Sequence, residues 1–157
     1  MPIARELPQE VVLGEVLDRP VTAWVNEAEA TAIYLTLRDV AFPDDDAYVQ
    51  AAFEKNSRVL QHPLYRVLLR LMSAQRLQRT GAGIFARMHR GITSRAERRP
   101  SGDFWVIDYP PHLVPELIAR CYATAVQAAL ELGGEKDVRV RVATFSPTRC
   151  ELHMSYR

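Results

Sequence analysis

Apolar and polar residues alternate strictly over residues 138–142 and again over residues 150–157, and this alternation constrains the fold more than any other feature. The apolar positions form two runs, which are Val138, Val140 and Val142, followed by Cys150, Leu152, Met154 and Tyr156. Because successive side chains of a strand point to opposite faces, the pattern predicts two antiparallel strands with one face in a core. We expect Arg139 or Arg141, on the polar face, to pair with Glu151.

A second pair of strands is predicted just upstream, over Ile92–Arg98 and Phe104–Tyr109, with turn residues between them. Phe104 to Ile107 is apolar on both faces, which is typical of a central strand that is covered on both sides. Between the two pairs, an apolar face rich in alanine runs from Leu117 to Leu132 and ends at Gly133-Gly134, as a helix does. The predicted order is therefore β-β-α-β-β.

The first ninety residues instead repeat their apolar positions every three or four residues, which predicts helices. Asn26 begins the first, which is apolar on several sides and is expected to be buried centrally. Asp44, Asp45 and Asp46 precede the second. The third begins after Pro63; its inward residues are predicted to be Leu64, Val67, Leu68, Leu71 and Met72. Gly81-Ala82-Gly83 is interpreted as a helix break.

These elements predict an α+β fold, in which an N-terminal helical half precedes a four-stranded antiparallel sheet and helices pack on the sheet. A length of 157 residues and 48% hydrophobic residues fit one domain, 1–157. We divide it into an N-terminal extension (1–22), a helical part (23–91) and the sheet with its helix (92–157). The sequence shows no signal peptide and no apolar run of roughly 18 residues, so we expect a cytoplasmic protein with no membrane span.

The net charge of +1 hides an uneven distribution. Eleven acidic and five basic residues give −6 over residues 1–63, whereas nine arginines and one acidic residue give +8 over residues 64–99, a segment we call the arginine belt. Four of its members are candidates for a partner surface, namely Arg66, Arg70, Arg76 and Arg79. They could bind phosphates or an acidic partner. Alternatively, they line a solvated helix face and pair with acidic residues of the first half, and the near cancellation of charge predicts no nucleic-acid binding.

The sequence contains no recognisable catalytic, metal or cofactor motif. The four histidines, at 62, 89, 112 and 153, are scattered without a pair at helical spacing. Gly81-Ala82-Gly83 lacks the Lys and Ser or Thr of a phosphate loop, and no serine lies in a Gly-x-Ser-x-Gly turn. We therefore expect no metal, no cofactor and no enzymatic activity, although an enzyme of unrecognised type stays an alternative.

The element order resembles that of the superfamily of haem-nitric-oxide-binding, 4-vinyl-reductase-type and transport-particle (TRAPP) domains. The resemblance rests on Ile118–Gly134, Val138–Val142 and Cys150–Met154. A closer likeness, from Trp24 to Arg157, is to an uncharacterised myxobacterial paralogous family of that superfamily. Its matching features are the Phe42-Pro43 break, the Tyr65–Leu71 helix, and Glu131-Leu132-Gly133-Gly134 before the Val138 strand.

This resemblance implies a module that senses a ligand or binds another protein. It does not carry over a haem site, because the Tyr-x-Ser-x-Arg motif of the haem-binding branch is missing from the sequence. We predict a non-enzymatic regulatory or sensory module that binds a protein partner or itself, as a homodimer, and a small apolar ligand. A haem-based or other cofactor-based sensor is the alternative.

Six residues are candidates for a ligand pocket between sheet and helix, namely Phe104, Trp105, Cys121, Tyr122, Met154 and Tyr156. Aromatic and sulfur-containing side chains suit a small apolar ligand. They suit ordinary core packing equally well, so both interpretations stay open on sequence grounds.

Overall fold

The computed structural model describes residues 24–157. The chain divides into two compact units, residues 1–48 and residues 49–157. The elements in the described residues are helices α1 (Glu27–Ala41), α2 (Asp45–Leu60), α3 (Pro63–Arg70), α4 (Ala74–Met88) and α5 (Glu116–Gly133), and strands β1 (Thr93–Arg99), β2 (Gly102–Asp108), β3 (Arg139–Ser146) and β4 (Arg149–Ser155). The predicted α+β class and the order β-β-α-β-β are confirmed. No helix in this part of the chain combines the length and the hydropathy needed to cross a bilayer.

Helix α1 begins as the sequence predicts, because the Asn26 side chain accepts a hydrogen bond from the Ala28 backbone N–H at 2.9 Å. The expectation that α1 is buried centrally is wrong. Its buried residues are Thr31 and Thr36, whereas Tyr34 is 43% exposed. The apolar residues of α1 are spread around its circumference, so they do not form one face that a core could cover.

Helices α3 and α4 are separate, with a break at residues 71–73. Ser73 caps α4 by accepting a hydrogen bond from the Arg76 N–H at 3.4 Å. The helix break predicted at Gly81-Ala82-Gly83 is therefore wrong, because all three residues lie inside α4.

Of the five residues in and after α3 that were predicted to face inward, four do not, so this prediction is also wrong. Leu64, Val67, Leu68 and Leu71 are exposed, Met72 is partly buried against the core, and the buried residue of the helix is Leu69. The apolar stripe of α3 thus lies on the side of the helix away from the core.

The sheet is antiparallel throughout and its strands lie in the order β1-β2-β4-β3. Strand β2 is central, and Phe104, Trp105, Val106 and Ile107 are all at most 8% exposed, as the sequence predicts. Gly102 begins β2 with φ +129°, a conformation that favours glycine. The pairing of β3 with β4 is irregular between Val142 and Thr144, which introduces a bulge into β3.

Helix α5 packs on β3 and against α3 and α4, and ends at Gly134 with φ +107°. Its buried residues join those of the sheet in one core, whose most enclosed side chains are Ile107, Val114, Leu130, Cys150 and Leu152. Trp105, Ile107, Cys150 and Leu152 belong to this core, so we call their side of the sheet the helix face. The opposite side, which carries Phe104, Val106, Glu151 and His153, is the outer face.

Connected ion pairs lie on the outer face. Arg99 forms ion pairs with Glu151 at 2.7 Å and with Glu97 at 2.6 Å. Arg95 forms ion pairs with Glu97 and with Asp108. Arg149 also pairs with Asp108, and the Arg99 guanidinium lies 4.5 Å above the Phe104 ring. Glu151 therefore pairs with Arg99, and the predicted pairing with Arg139 or Arg141 is wrong.

Candidate functional site: an apolar cavity on the helix face

A partly open cavity of about 350 Å³ lies between α2, α4, α5 and the helix face. We call it the apolar cavity. Its lining residues come from α2 (Asn56, Val59 and Leu60), α4 (Leu77, Gln78, Gly81, Ile84, Phe85 and Met88), the sheet (Trp105, Ile107 and Leu152) and α5 (Tyr122, Ala125, Val126, Ala129 and Leu130). All belong to the second unit, and their exposed surface in the cavity is almost wholly apolar.

Helix α4 lies close to the sheet because residue 81 is glycine. A Cβ atom at Gly81 would lie 3.1 Å from Cη2 of Trp105, tighter than ordinary van der Waals contact, whereas a Cβ at Gly83 would meet nothing within 4 Å. Glycine at residue 81 makes the helix intrinsically less stable than alanine would, but it allows α4 to approach Trp105 closely. The Trp105 indole is fixed by its Nε1–H, which donates a hydrogen bond to Oγ of Ser94.

Three aromatic rings form one part of the wall. Phe85 meets Trp105 edge to face with centroids 6.1 Å apart, and meets Tyr122 in the same way at 5.0 Å. Such pairs are favourable beyond their buried area and hold each ring in a defined orientation. This part of the wall is therefore preformed.

The two amide side chains in the wall are held by partners behind it. Asn56 Nδ2 donates to Thr124 Oγ1 at 3.2 Å, and Gln78 Nε2 donates to the Tyr156 hydroxyl at 3.0 Å. Tyr156 in turn donates to Asp103, which also accepts two hydrogen bonds from Arg98 at 2.7 and 3.0 Å.

These contacts shift the pKa values of Asp103 and Tyr156. The hydrogen bonds from Arg98 lower the pKa of Asp103 to about 2, because they outweigh the opposing effect of burial, and the Tyr156 hydroxyl contributes in the same direction. Burial, followed by the hydrogen bond to Asp103, raises the pKa of Tyr156. Asp103 is therefore ionised and Tyr156 protonated near neutral pH. Together with Arg98 they form a polar layer behind the wall, which holds the Gln78 side chain in place.

The structure brings together only some of the predicted pocket residues. Trp105 and Tyr122 line the cavity. The other four are not in its wall: Met154 is buried in the core, Tyr156 binds Gln78 from behind, Cys121 is partly buried on α5, and Phe104 lies on the outer face. The sequence analysis did not identify the residues of α2 and α4, although a glycine followed by Ile84, Phe85 and Met88 at helical spacing was a usable pattern.

Seven of the nine arginines of the arginine belt fall into two groups. Arg66, Arg70, Arg76 and Arg79 are exposed on α3 and α4 and make no ion pair within residues 49–157. Arg95, Arg98 and Arg99 instead pair with acidic residues of the sheet.

The donor groups of the cavity do not fit haem. Among the described residues that line it there is no histidine or cysteine to bind the iron, and no lysine or arginine to neutralise the two propionates. His89 is not among the wall residues; its ring stacks on that of Phe85, with centroids 4.1 Å apart. A cavity of ~150 Å³ holds one benzene molecule, so 350 Å³ suits a compact ligand.

Metal-binding clusters and Cys150 were the remaining candidates for reactive groups in the described residues. No cluster of three or more His, Cys, Asp or Glu residues there could hold a metal ion. Cys150 is fully buried, and this burial raises the pKa of its thiol to about 12, which leaves it protonated and a poor nucleophile.

Comparison with known proteins identifies the fold and not the family. No family model and no curated protein matches the chain. Among solved structures, a Cs H-NOX mutant with the unnatural amino acid 4-cyano-L-phenylalanine is similar, with a TM-score of 0.56 and 10% identity over 99% of this chain and 90% of that chain. A mutant of the T. tengcongensis H-NOX has a TM-score of 0.50 and 9% identity over 89% of this chain and 80% of that chain. The chain therefore has an H-NOX-like fold.

Proposed function

We propose that this chain is a non-enzymatic sensory module that holds a small, neutral, apolar ligand in the apolar cavity. The observation that carries the proposal is a cavity of about 350 Å³ with a nearly continuous apolar wall. Well-packed cores rarely leave space of this size, and known ligand pockets begin at about 300 Å³.

The chemistry of the wall favours a neutral ligand. Transfer of an ionised group into an apolar site is costly unless a partner of opposite charge lies beside it. None of the described wall residues is charged, and the amide nitrogens of Asn56 and Gln78 are already engaged by Thr124 and Tyr156. A fatty acid or a phosphorylated ligand would leave its charge unpaired in the cavity.

The likeness to H-NOX structures supports a sensory role, since the superfamily resemblance implies ligand-sensing or protein-binding modules. Membership of the myxobacterial paralogous family is part of this proposal, as are a protein partner and a single domain spanning residues 1–157. The haem chemistry of the superfamily is not part of it, because the wall lacks the residues that haem requires.

A matched pair of fluorescent ligands tests the charge requirement. N-phenyl-1-naphthylamine is neutral, and 8-anilinonaphthalene-1-sulfonate has the same rings with an added sulfonate. We expect the neutral dye to bind with one-to-one stoichiometry and at least about tenfold more tightly, which corresponds to about 1.4 kcal/mol. Equal binding of the two dyes would contradict a neutral-ligand cavity.

A pair of variants tests the location. Ala125→Phe places a ring inside the cavity and is expected to weaken dye binding at least about tenfold. In Gly81→Ala the new methyl group crowds Trp105 in the wall, whereas Gly83→Ala makes the same change two residues away in open space. Binding should weaken in the first and not in the second; dye binding unaffected by Ala125→Phe would place the dye elsewhere.

The haem alternative is tested on the same protein. Titration with haemin is expected to give no sharp Soret band at one-to-one stoichiometry, because the wall offers no imidazole or thiolate. A stable band that Tyr122→Phe abolishes would show that Tyr122 ligates the iron and would overturn the proposal of a haem-free sensor.

A further inference from the structure

Two amide side chains lie in the wall of the apolar cavity, Asn56 on α2 and Gln78 on α4. A primary amide has an NH₂ end that donates hydrogen bonds and a carbonyl end that accepts them. The two ends have nearly the same shape, so the hydrogen bonds of the neighbouring groups decide which end faces which way. The direction of those bonds therefore decides which chemical group a ligand meets in the wall.

The hydrogen bonds around Gln78 have only one possible direction. Asp103 is ionised near neutral pH and can only accept, so the Tyr156 hydroxyl donates its single proton to Asp103. The Tyr156 oxygen is then left as an acceptor, and it lies 3.0 Å from Nε2 of Gln78. The NH₂ end of Gln78 thus faces Tyr156, and its carbonyl oxygen Oε1 points away from Tyr156.

A second and unrelated chain of hydrogen bonds orients Asn56 in the same way. The carbonyl oxygen of Cys121 can only accept, so Oγ1 of Thr124 donates its proton to this oxygen at 2.8 Å. Thr124 is then left as the acceptor for Nδ2 of Asn56, at 3.2 Å. In both wall amides the nitrogen end is therefore held by the protein and the oxygen end is not.

The two amide oxygens are accessible acceptors. Neither Oε1 of Gln78 nor Oδ1 of Asn56 accepts a hydrogen bond from a group within residues 24–157. Neither is among the fully enclosed side-chain atoms of these residues that lack a partner, so each keeps contact with open space. For Asn56 the adjoining space is the apolar cavity.

Gln78 borders two spaces, the apolar cavity and a smaller pocket of about 100 Å³ beside Arg98 and Asp103. Its nitrogen end belongs to the side of the smaller pocket. There, after the larger effect of Arg98 and that of Tyr156, a hydrogen bond from Gln78 also lowers the pKa of Asp103. The Gln78 side chain is only 5% exposed, and its oxygen end is left to the apolar cavity.

We infer that Oε1 of Gln78 and Oδ1 of Asn56 accept hydrogen bonds from the ligand, and that the ligand is a neutral apolar molecule with an O–H or N–H group, such as a phenol, an alcohol or an indole. This inference rests on the proposed function and narrows it to one class of ligand. A site built around a buried acceptor discriminates against ligands that lack the donor, because the acceptor then loses its partner. The N–H of Trp105, also in the wall, is already donated to Ser94, so it does not serve a ligand that can only accept.

Indole and benzofuran are matched probes for the full chain. Both are neutral bicyclic molecules of the same shape, but benzofuran has a ring oxygen in place of the N–H of indole. Each is titrated against the protein with N-phenyl-1-naphthylamine bound, and displacement of the dye reports its affinity. We expect indole to bind about tenfold more tightly. A wholly apolar wall would instead bind benzofuran at least as tightly, because no N–H has to leave water.

The double variant Asn56→Leu with Gln78→Leu removes both acceptors and keeps the wall apolar. Thr124 and Tyr156 still donate to their own acceptors, so no buried donor loses its partner. The preference for indole should disappear, whereas benzofuran should bind at least as tightly as before, which shows that the cavity is intact. Gln127→Leu is the control, because Gln127 on α5 bonds to Glu131 and does not line the cavity.

The outcomes separate this inference from the proposed function. Failure of the dye itself to bind would contradict the apolar cavity as a ligand site, and the inference with it. Dye binding with equal displacement by indole and benzofuran, or with displacement by neither, would leave the apolar cavity standing and overturn the donor requirement. A preference for indole that persists in the double variant would overturn the assignment of the two amide oxygens.

Discussion

The two faces of the sheet cover the same apolar strand in different ways. On the helix face, Trp105 and Ile107 meet packed helices and a cavity. On the outer face, Phe104 and Val106 are equally buried but lie beside connected ion pairs. Among the described residues, long charged side chains cover part of this face with their aliphatic portions, as Arg99 does over Phe104. The free energy of unfolding should depend strongly on the first face and weakly on the second.

The largest expected effect is that of Trp105→Ala. Trp105 is 8% exposed, so truncation should lower the free energy of unfolding by about 3–5 kcal/mol, the usual cost for a buried aromatic residue. Trp24→Ala, at the 49% exposed second tryptophan, should cost less than about 1 kcal/mol. Denaturant titration measures both. A loss below about 1 kcal/mol for Trp105→Ala would remove the contrast between the faces.

A smaller effect is expected from Asp103→Asn, which disrupts the polar layer behind the cavity. Loss of the ionised acceptor of Arg98 and Tyr156 should cost about 1–3 kcal/mol at neutral pH. The folded-state pKa of about 2 lies below the unfolded value of about 3.9. Asp103 therefore stabilises the fold above pH ~4, and this contribution is lost as the pH falls towards 2. Unfolding measured from pH 5 to 2 should show this loss in the wild type and a shallower dependence in the variant; parallel curves would contradict it.

The two glycines of α4 sharpen the comparison on the helix face. Gly83→Ala should stabilise the protein by about 0.4–1 kcal/mol, because alanine restricts the unfolded chain and fits the helix. Gly81→Ala should gain less or destabilise, since its methyl group would lie 3.1 Å from the Trp105 ring. Thermal unfolding of the two variants gives the difference, and equal gains would show that α4 does not need its close approach to the sheet.

The smallest effect is expected on the outer face, from Glu97→Gln. Hydrogen bonds from Arg99 and then Arg95 lower the pKa of Glu97, yet the side chain is 30% exposed and its pairs are accessible to solvent. The loss should be at most about 1 kcal/mol and should shrink at high salt. A larger loss that persists in 1 M salt would mean that the ion pairs stabilise the sheet as strongly as the helix face does.

Local patterns were sufficient to predict the sheet and α5. Alternation in residues 138–142 and 150–157, the turn before Gly102 and the double glycine after Leu132 each act within a few residues. The orientation of α3 could not be predicted in the same way. Periodicity locates a stripe but does not decide whether that stripe faces the core, and here Leu69 alone anchors the helix while four apolar residues face outward.

The candidate site was predicted only in part, for a related reason. Trp105 and Tyr122 were identified because the strand and α5 carry strong local patterns. Phe85, Ile84 and Met88 were not, because their position beside Trp105 depends on how α4 packs on the sheet. Gly81 resembles a helix breaker in sequence, and only its distance to Trp105 reveals a packing role.

The strand order places β1 and β3 at the two margins of the sheet. One margin carries Arg95, Arg98 and Arg99, and the other carries Arg139 and Arg141 and is interrupted between Val142 and Thr144. Charged side chains and a bulge both prevent an incoming strand from continuing the hydrogen-bond ladder. The sheet is therefore protected against growth by strand addition, which is the usual route by which antiparallel sheets polymerise into fibrils.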